Sequence, residues 1–288
     1  MILDGKVTSK ALLQEIAQEV GRLTGPTKPK LVAVLVGENP ASEIYVARKM
    51  KVADELGILS ELHRFPAHTE EAFLKEELEK LNQDTSVNAV LVQLPLPKQI
   101  HTERVLQTIL PEKDVDGFHP INMGQLLLGI EPPALPCTPA GIMKLLDAYK
   151  IDVSGLNACV VGRSNIVGKP IMLMLTQRNA TVTLCHSKTR NLEAVLESSD
   201  LVVAAIGQAH LISGNTLKRG CIVVDVGINR LPSGQLVGDV DFESAREKAA
   251  FITPVPGGVG PMTIAMLMMN TLRLHQVQQG IQVKNWLL

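Results

Sequence analysis

The feature that most constrains this chain is a set of short, unbroken aliphatic runs. Leu31–Val36, Val87–Gln93, Ala158–Val161, Leu201–Ile206 and Cys221–Val226 are rich in Val, Leu, Ile and Ala, and Gly or Pro closes several of them. They show no alternation of apolar and polar residues. A strand with one wetted face alternates, so these runs predict strands covered on both faces, as in parallel α/β sheets. Each is far below the roughly 18 apolar residues that a membrane span needs. Between them lie segments with helical spacing, so strands and helices take turns along the 288 residues. About 150 residues per domain then gives two α/β domains.

Charge and aromatic content narrow the partners. Lys and Arg number 28 against 29 Asp and Glu, and aromatics are 3% of the chain. Phosphate-backbone binding calls for a basic stripe, and single-strand binding calls for stacking rings. Neither is present, so nucleic acid is not an expected partner. Cysteines 137, 159, 185 and 221 are scattered, with no C-x-x-C pair. They read as reduced thiols with no metal site. The N-terminus meets Asp4 at once and lacks a signal-peptide core, which points to the cytoplasm and no membrane association.

In more detail, Leu12, Ile16, Val20 and Leu23 predict a helix from Ser9 to Leu23, stopped by Gly25-Pro26. Ser42 is the expected cap of a helix running to Gly57, and Thr69 of one carrying Leu74, Leu78 and Leu81. Six prolines over residues 111–139 predict irregular structure. Helices at 140–149 and 262–274 are expected to join the two domains. The first domain would span residues 1–139, with 275–288 returning to it. The second, residues 140–274, would be a Rossmann-type dinucleotide-binding fold.

The Rossmann reading rests on Gly162-Arg-Ser-Asn-Ile-Val-Gly168-Lys-Pro170, which follows a strand and opens a helix. Such a turn offers backbone N–H groups and a helix N-terminus to a pyrophosphate. The match to G-x-G-x-x-G is imperfect: Ser164 replaces the second glycine, and the last arrives one residue late. After the next strand come Cys185-His-Ser187-Lys188-Thr-Arg190, with hydroxyls and bases but no carboxylate. A ribose 2′-hydroxyl wants an acid there, whereas a 2′-phosphate wants Arg and hydroxyl donors. With Arg163 beside the turn, NADP is favoured over NAD; the plain alternative is a solvated basic loop.

Tyr45 and Lys49, four residues apart, share a helix face. Tyr-x-x-x-Lys also occurs in short-chain dehydrogenases, but there it follows the dinucleotide turn, and here it precedes it. The spacing alone fits equally a surface lysine beside a partly buried tyrosine. Gln93 ends a buried strand, where open α/β sheets place their sites. Asp116 sits in a loop that could be a simple Asx turn, and Gly257-Gly-Val-Gly260 could be a plain flexible turn.

Taken together, the strings Gly37-Glu-Asn-Pro-Ala-Ser-Glu-Ile-Tyr45-Val-Ala-Arg-Lys49, Val92-Gln93-Leu-Pro-Leu-Pro97, Lys113-Asp-Val-Asp116-Gly, Pro136-Cys-Thr-Pro139, the Gly162–Pro170 turn, Asp225-Val-Gly-Ile228-Asn and Pro254-Val-Pro-Gly-Gly-Val-Gly-Pro-Met-Thr263 resemble the bifunctional methylenetetrahydrofolate dehydrogenase/methenyltetrahydrofolate cyclohydrolase family. The resemblance covers nearly the whole chain. It implies two α/β domains with a folate cleft between them, NADP on the second, tetrahydrofolate derivatives as substrates and a homodimer. It implies Lys49 as cyclohydrolase catalyst, with Tyr45 and Gln93 positioning and tuning it, and Asp116 on the pterin ring. It further implies folate contacts from Val92, Gln93, Leu94, Pro256, Gly257, Gly260 and Pro261, and NADP contacts from Gly162, Arg163, Ser164, Ser187 and Ile228. Two readings stand beside it: a shikimate-type NADP dehydrogenase, and a folate- or nucleotide-binding protein without turnover.

Overall fold

The computed structural model describes residues 1–25 and 27–283. Pro26, read above as part of a helix stop, and residues 284–288 lie outside the described residues. The chain divides into two compact units. Of the described residues, one unit comprises Leu12–Leu135 and residues 267–283; the other comprises Met1–Ala11 and Pro136–Met266. Both boundaries at the chain's ends fall within helices, α1 (Gly5–Gly21) and α10 (Val259–Gln278).

In the first of these units, β1 (Lys30–Val36), α2 (Pro40–Glu55), β2 (Leu59–Phe65), α3 (Glu71–Gln83) and β3 (Ala89–Val92) form a three-stranded parallel sheet in the order β2-β1-β3. The aliphatic run of β1 is buried from Leu31 to Val36, as its composition requires. Burying each such side chain contributes roughly 1.5–3 kcal/mol. Strand β2 is a correction to the sequence reading, which placed no strand there. It is an edge strand, Leu-Ser-Glu-Leu-His-Arg-Phe, mixed in polarity because half of it faces solvent.

The caps also differ from expectation. Asn39, not Ser42, caps α2, accepting from the N–H groups of Ala41 and Ser42 at 3.0 and 3.1 Å. Pro40 then takes the first helical position, where its missing N–H is harmless. Helix α3 begins at Glu71, and the Thr69 hydroxyl donates to the Pro66 carbonyl instead of capping it. Two helices, α4 (Thr102–Leu106) and α5 (Pro120–Leu127), follow. The latter lies inside the proline-rich stretch expected to be irregular; Pro120 opens it and His119 Nδ1 accepts from the Ile121 N–H.

Residues 113–115 extend this sheet beyond β3. Asp114 bridges Val90 in parallel, and Val90 N–H donates to the Lys113 carbonyl at 2.8 Å. The buried Lys113 ammonium donates to the carbonyls of Leu81, Asn82 and Asp84 at 2.9, 2.8 and 2.7 Å. The first two belong to the last turn of α3, whose final carbonyls have no partner within the helix, and the third to Asp84, which caps it. Burial lowers the Lys113 pKa, and the three acceptors answer its three N–H donors.

The other unit begins with α6 (Cys137–Ala148) and continues with β4 (Asn157–Val161), α7 (Gly168–Gln177), β5 (Thr181–Cys185), α8 (Leu192–Ser198), β6 (Leu201–Ala204) and β7 (Ile222–Asp225). A hairpin of β8 (Asn229–Arg230) and β9 (Leu236–Val237), α9 (Phe242–Arg246) and β10 (Phe251–Ile252) complete it. The main sheet is parallel, ordered β10-β7-β6-β4-β5. The first strand in sequence, β4, therefore lies between β5 and β6, where successive crossovers part to opposite sides. All four cysteines are buried and free. The first residues of the chain pair with β10: Leu3 N–H donates to the Ile252 carbonyl and Ile252 N–H to that of Met1. Residues 1–11 are thus compact with this unit, whereas the sequence alone predicts them in one domain with residues 12–139.

Replacing Lys113 by Met removes this donor from the Leu81 and Asn82 carbonyls, while the Asp84 carbonyl keeps the Val87 N–H. The expected cost is about 2–4 kcal/mol, measured by urea denaturation; a loss below about 0.5 kcal/mol would show that the contact is unimportant.

Candidate active site

The carboxyl edge of the three-stranded sheet gathers most of the residues singled out from the sequence. Beyond β1, the chain turns at Gly37 and enters α2, which carries Tyr45 and, one turn later, Lys49. Beyond β3, Gln93 anchors its backbone by donating to the Val34 carbonyl at 2.9 Å. Its side-chain Nε2 donates to the Leu94 carbonyl at 2.7 Å, which turns Oε1 outward to accept from Lys49 Nζ at 3.0 Å. Lysine and glutamine, 44 positions apart, are therefore joined. The Tyr45 ring is 42% exposed, Val92 is buried, and Leu94 is half-buried.

Asp116 stands at the same edge, two residues beyond the Val90–Asp114 bridge, and is half-buried. Its neighbours are held from three sides. Asp114 Oδ2 accepts from His119 N–H at 2.7 Å and from Asn122 Nδ2 at 3.1 Å. The Val115 carbonyl accepts from Asn270 Nδ2 at 2.8 Å. Lys113 is tied to α3 as described.

In the five-stranded unit, β4 runs into the Gly162 turn. Gly162 has φ of +126°, and a Cβ there would collide with the Ala205 carbonyl. A Cβ on Gly168 would collide with the carbonyl of Gly162, so helix α7 rests directly on the turn. This accounts for the late glycine of the motif. Ser164, in the place of the second glycine, accepts from the N–H groups of Val167 and Gly168 at 3.2 and 3.3 Å and so ties the turn to the start of α7. Arg163, Ser187, Lys188 and Arg190 are exposed around the ends of β4 and β5. Ile228, half exposed, follows β7. In the turn before α10 Pro256 is exposed and Gly257 buried, and in the first turn of that helix Gly260 is exposed and Pro261 half-buried. The folate-contact residues taken from the resemblance thus divide, Tyr45 to Asp116 in one unit and Pro256 to Pro261 in the other. Among the described residues, no group of three or more His, Cys, Asp or Glu side chains is placed to hold a metal ion.

Comparison with known proteins bears on this arrangement. Residues 3–116 match the family model for the tetrahydrofolate dehydrogenase/cyclohydrolase catalytic domain, and residues 136–279 match that for its NAD(P)-binding domain. The chain belongs to the tetrahydrofolate dehydrogenase/cyclohydrolase family. It is 52% identical over 272 residues to the bifunctional protein FolD of Geotalea daltonii, covering 94% of this chain and 97% of that one. The crystal structure of the bifunctional FolD enzyme of Campylobacter jejuni superposes with a TM-score of 0.95 at 47% identity, covering 96% and 99% of the two chains. The Trypanosoma brucei FolD structure, complexed with NADP cofactor and inhibitor, gives 0.92 at 37% identity, covering 96% and 97%. A shikimate dehydrogenase from Aquifex aeolicus, at 13% identity and a TM-score of 0.51, shares the fold alone.

Within this member of the tetrahydrofolate dehydrogenase/cyclohydrolase family, sequence reasoning missed the residues that support the named ones. Asp114 and Asp225 are two of them. Burial, opposed by their hydrogen bonds and joined at Asp114 by the charge of Asp116, pushes each carboxyl up to about 6. Asn270 is another. Asn122 Oδ1 is buried without a partner next to Asp114. No spacing rule marks any of these, because their partners lie on other elements.

The raised pKa means that folded Asp114 binds a proton more tightly than unfolded Asp114, so its contribution to stability grows as pH falls from 7 towards 4. Asp114→Asn keeps an acceptor for His119 N–H and supplies an amide that can donate to Asn122 Oδ1. Stability at pH 7 is expected to stay level or rise by up to about 2–3 kcal/mol. Its gain on acidification between pH 7 and 4 should shrink. Urea denaturation across that range is the check, and an unchanged pH dependence would contradict the assignment.

Proposed function

We infer that this protein oxidises 5,10-methylenetetrahydrofolate with NADP to 5,10-methenyltetrahydrofolate and hydrolyses that product to 10-formyltetrahydrofolate. The observation that carries the reading is the Lys49–Gln93 hydrogen bond at the carboxyl edge of a domain matching the family's catalytic domain, in a chain matching both domains of a bifunctional enzyme.

NADP fits the five-stranded unit. The Gly162 turn leaves no room for a side chain, and the surface after β5 presents Ser187, Lys188 and Arg190 without a carboxylate. Gly162, Arg163, Ser164, Ser187 and Ile228 would hold the cofactor, with the 2′-phosphate on the Arg163 and Ser187 side. When bound, NADP supplies the acceptor for the hydride that leaves the one-carbon bridge. The chain's part in that step is orientation: no base is required, because the substrate loses a hydride and no proton.

Hydrolysis depends more on side chains. Water adds to the methenyl carbon and gives up two protons as the ring C–N bond breaks, one ending on the ring nitrogen and the other released to solvent. Lys49 Nζ would carry these proton transfers. Gln93 Oε1 accepts one Nζ hydrogen and so fixes the direction of the others, while the Tyr45 hydroxyl, one turn away on α2, positions substrate and lysine. Asp116 would accept two hydrogen bonds from the amino-pyrimidine edge of the pterin, which sets its orientation. Val92, Gln93 and Leu94, with Pro256, Gly257, Gly260 and Pro261, would complete the folate contacts. A homodimer acting in the cytoplasm belongs to the same reading. No described helix is long and apolar enough to cross a membrane.

Lys49→Ala should lower cyclohydrolase activity by about 10²–10⁴-fold and leave dehydrogenase activity measurable. Equal, modest losses in both assays would overturn the role given to Lys49. Arg163→Ala should raise KM for NADP about 10- to 100-fold and leave KM for NAD nearly unchanged. An unaltered preference between the two cofactors would place the 2′-phosphate elsewhere.

A further inference from the structure

Two buried aspartates hold together the loops at the carboxyl ends of β6 and β7. Asp239 is fully buried. Its Oδ2 accepts from the N–H groups of Ile206 and Gly207 at 2.6 and 2.9 Å, and its Oδ1 from Gln208 N–H and Asn229 Nδ2, both at 2.9 Å. Three consecutive backbone N–H groups thus converge on one carboxylate, an anion-binding concavity filled by the chain itself. Asp225, at the end of β7, holds Asp239 in turn. Its Oδ1 accepts from Gly227 and Asp239 N–H and its Oδ2 from Val240 N–H, each at 2.9 Å. The packing leaves no slack. A Cβ on Gly227 would fall within the Asp239 carboxylate, and one on Gly238 within that of Asp225.

The strand order tells which part of the cofactor these loops face. The phosphate turn ends β4, the NADP-side hydroxyl and bases end β5, and β6 and β7 lie on the opposite side of β4. A dinucleotide centred on that turn lays its adenosine half over β5 and its nicotinamide half over β6 and β7. Ile228, half exposed, directly precedes Asn229, whose side-chain amide Asp239 holds.

We propose that Asp239 is a positioning residue for the nicotinamide half of NADP, acting through the 206–208 loop and Asn229 without touching the cofactor. This rests on the reading of NADP as the cofactor of the five-stranded unit. Asp239→Asn replaces one acceptor oxygen by a donor, so two of the four N–H groups lose their acceptor. The loops would loosen, while the Gly162 turn and the β5 end keep their own bonds.

The test measures binding to the full-length protein by calorimetry with two probes, NADP and adenosine 2′,5′-bisphosphate, which lacks the nicotinamide half. Asp239→Asn should raise Kd for NADP at least about 10-fold and change Kd for the bisphosphate by less than about twofold. The kcat for hydride transfer should fall as well, beyond what saturating NADP restores. Equal weakening of both probes would show a merely structural role and overturn the proposal, as would unchanged NADP binding. Should Asp239→Asn not fold, Asn229→Ala removes a single one of the four bonds and must show the same selective loss at smaller size, or the proposal fails. If the unaltered protein bound neither probe, the cofactor reading itself would fall, which separates the two claims.

Discussion

Everything functional in this protein depends on one constraint: its main strands are parallel and aliphatic. A parallel strand pair cannot be closed by a tight turn, so each connection crosses over, most often as a helix, and packs on a sheet face. With both faces covered, the chain meets solvent at the ends of the strands. Polar side chains that must meet a ligand are then confined to the loops leaving the carboxyl edges. Lys49, Gln93 and Asp116 stand at one such edge, and Gly162, Ser187 and Ile228 at another. The three-residue extension at 113–115 shows the same logic, since by adding to the parallel sheet it carries the chain to Asp116 at the carboxyl edge.

Loops placed in this way still need to be held, and here buried polar groups do the holding. Lys113 saturates the end of α3, Asn270 bonds the carbonyls of Val115 and Leu135, and Asp239 gathers four N–H groups. Burying such groups unpaired would cost several kcal/mol, so each is stable only in the geometry that satisfies it. That requirement converts a burial penalty into positional accuracy. Asp116 and Ile228, to which the proposed function gives ligand contacts, take their backbone positions from these buried neighbours.

This division of labour explains what could be read in advance. The aliphatic strands β1, β3, β4, β6 and β7 announce themselves because complete burial leaves a continuous apolar run. β2 does not, because an edge strand with Glu61, His63 and Arg64 resembles a loop as much as a strand. Helix α5 was hidden by Pro120, whose ring opens a helix as readily as it breaks one. The pairing of Lys49 with Gln93 had no spacing signal, since it joins two elements through the sheet; the resemblance of whole strings to a folate enzyme family supplied it. Asn270 and Asp239 were illegible for a stronger reason. Asn270 sits in an apolar helix and bonds residues 135 and 155 positions away, and only the fold tells what a lone buried amide is for.

The central claim is that one chain performs both an oxidation and a hydrolysis on the same one-carbon unit. The direct measurement supplies the unaltered protein with 5,10-methylenetetrahydrofolate and NADP, and follows NADPH and 10-formyltetrahydrofolate together. The account predicts that NADPH forms only with folate present, and that 10-formyltetrahydrofolate appears faster than methenyltetrahydrofolate hydrolyses without the protein. NADPH formation with hydrolysis at the uncatalysed rate, or no NADPH at all, would contradict it.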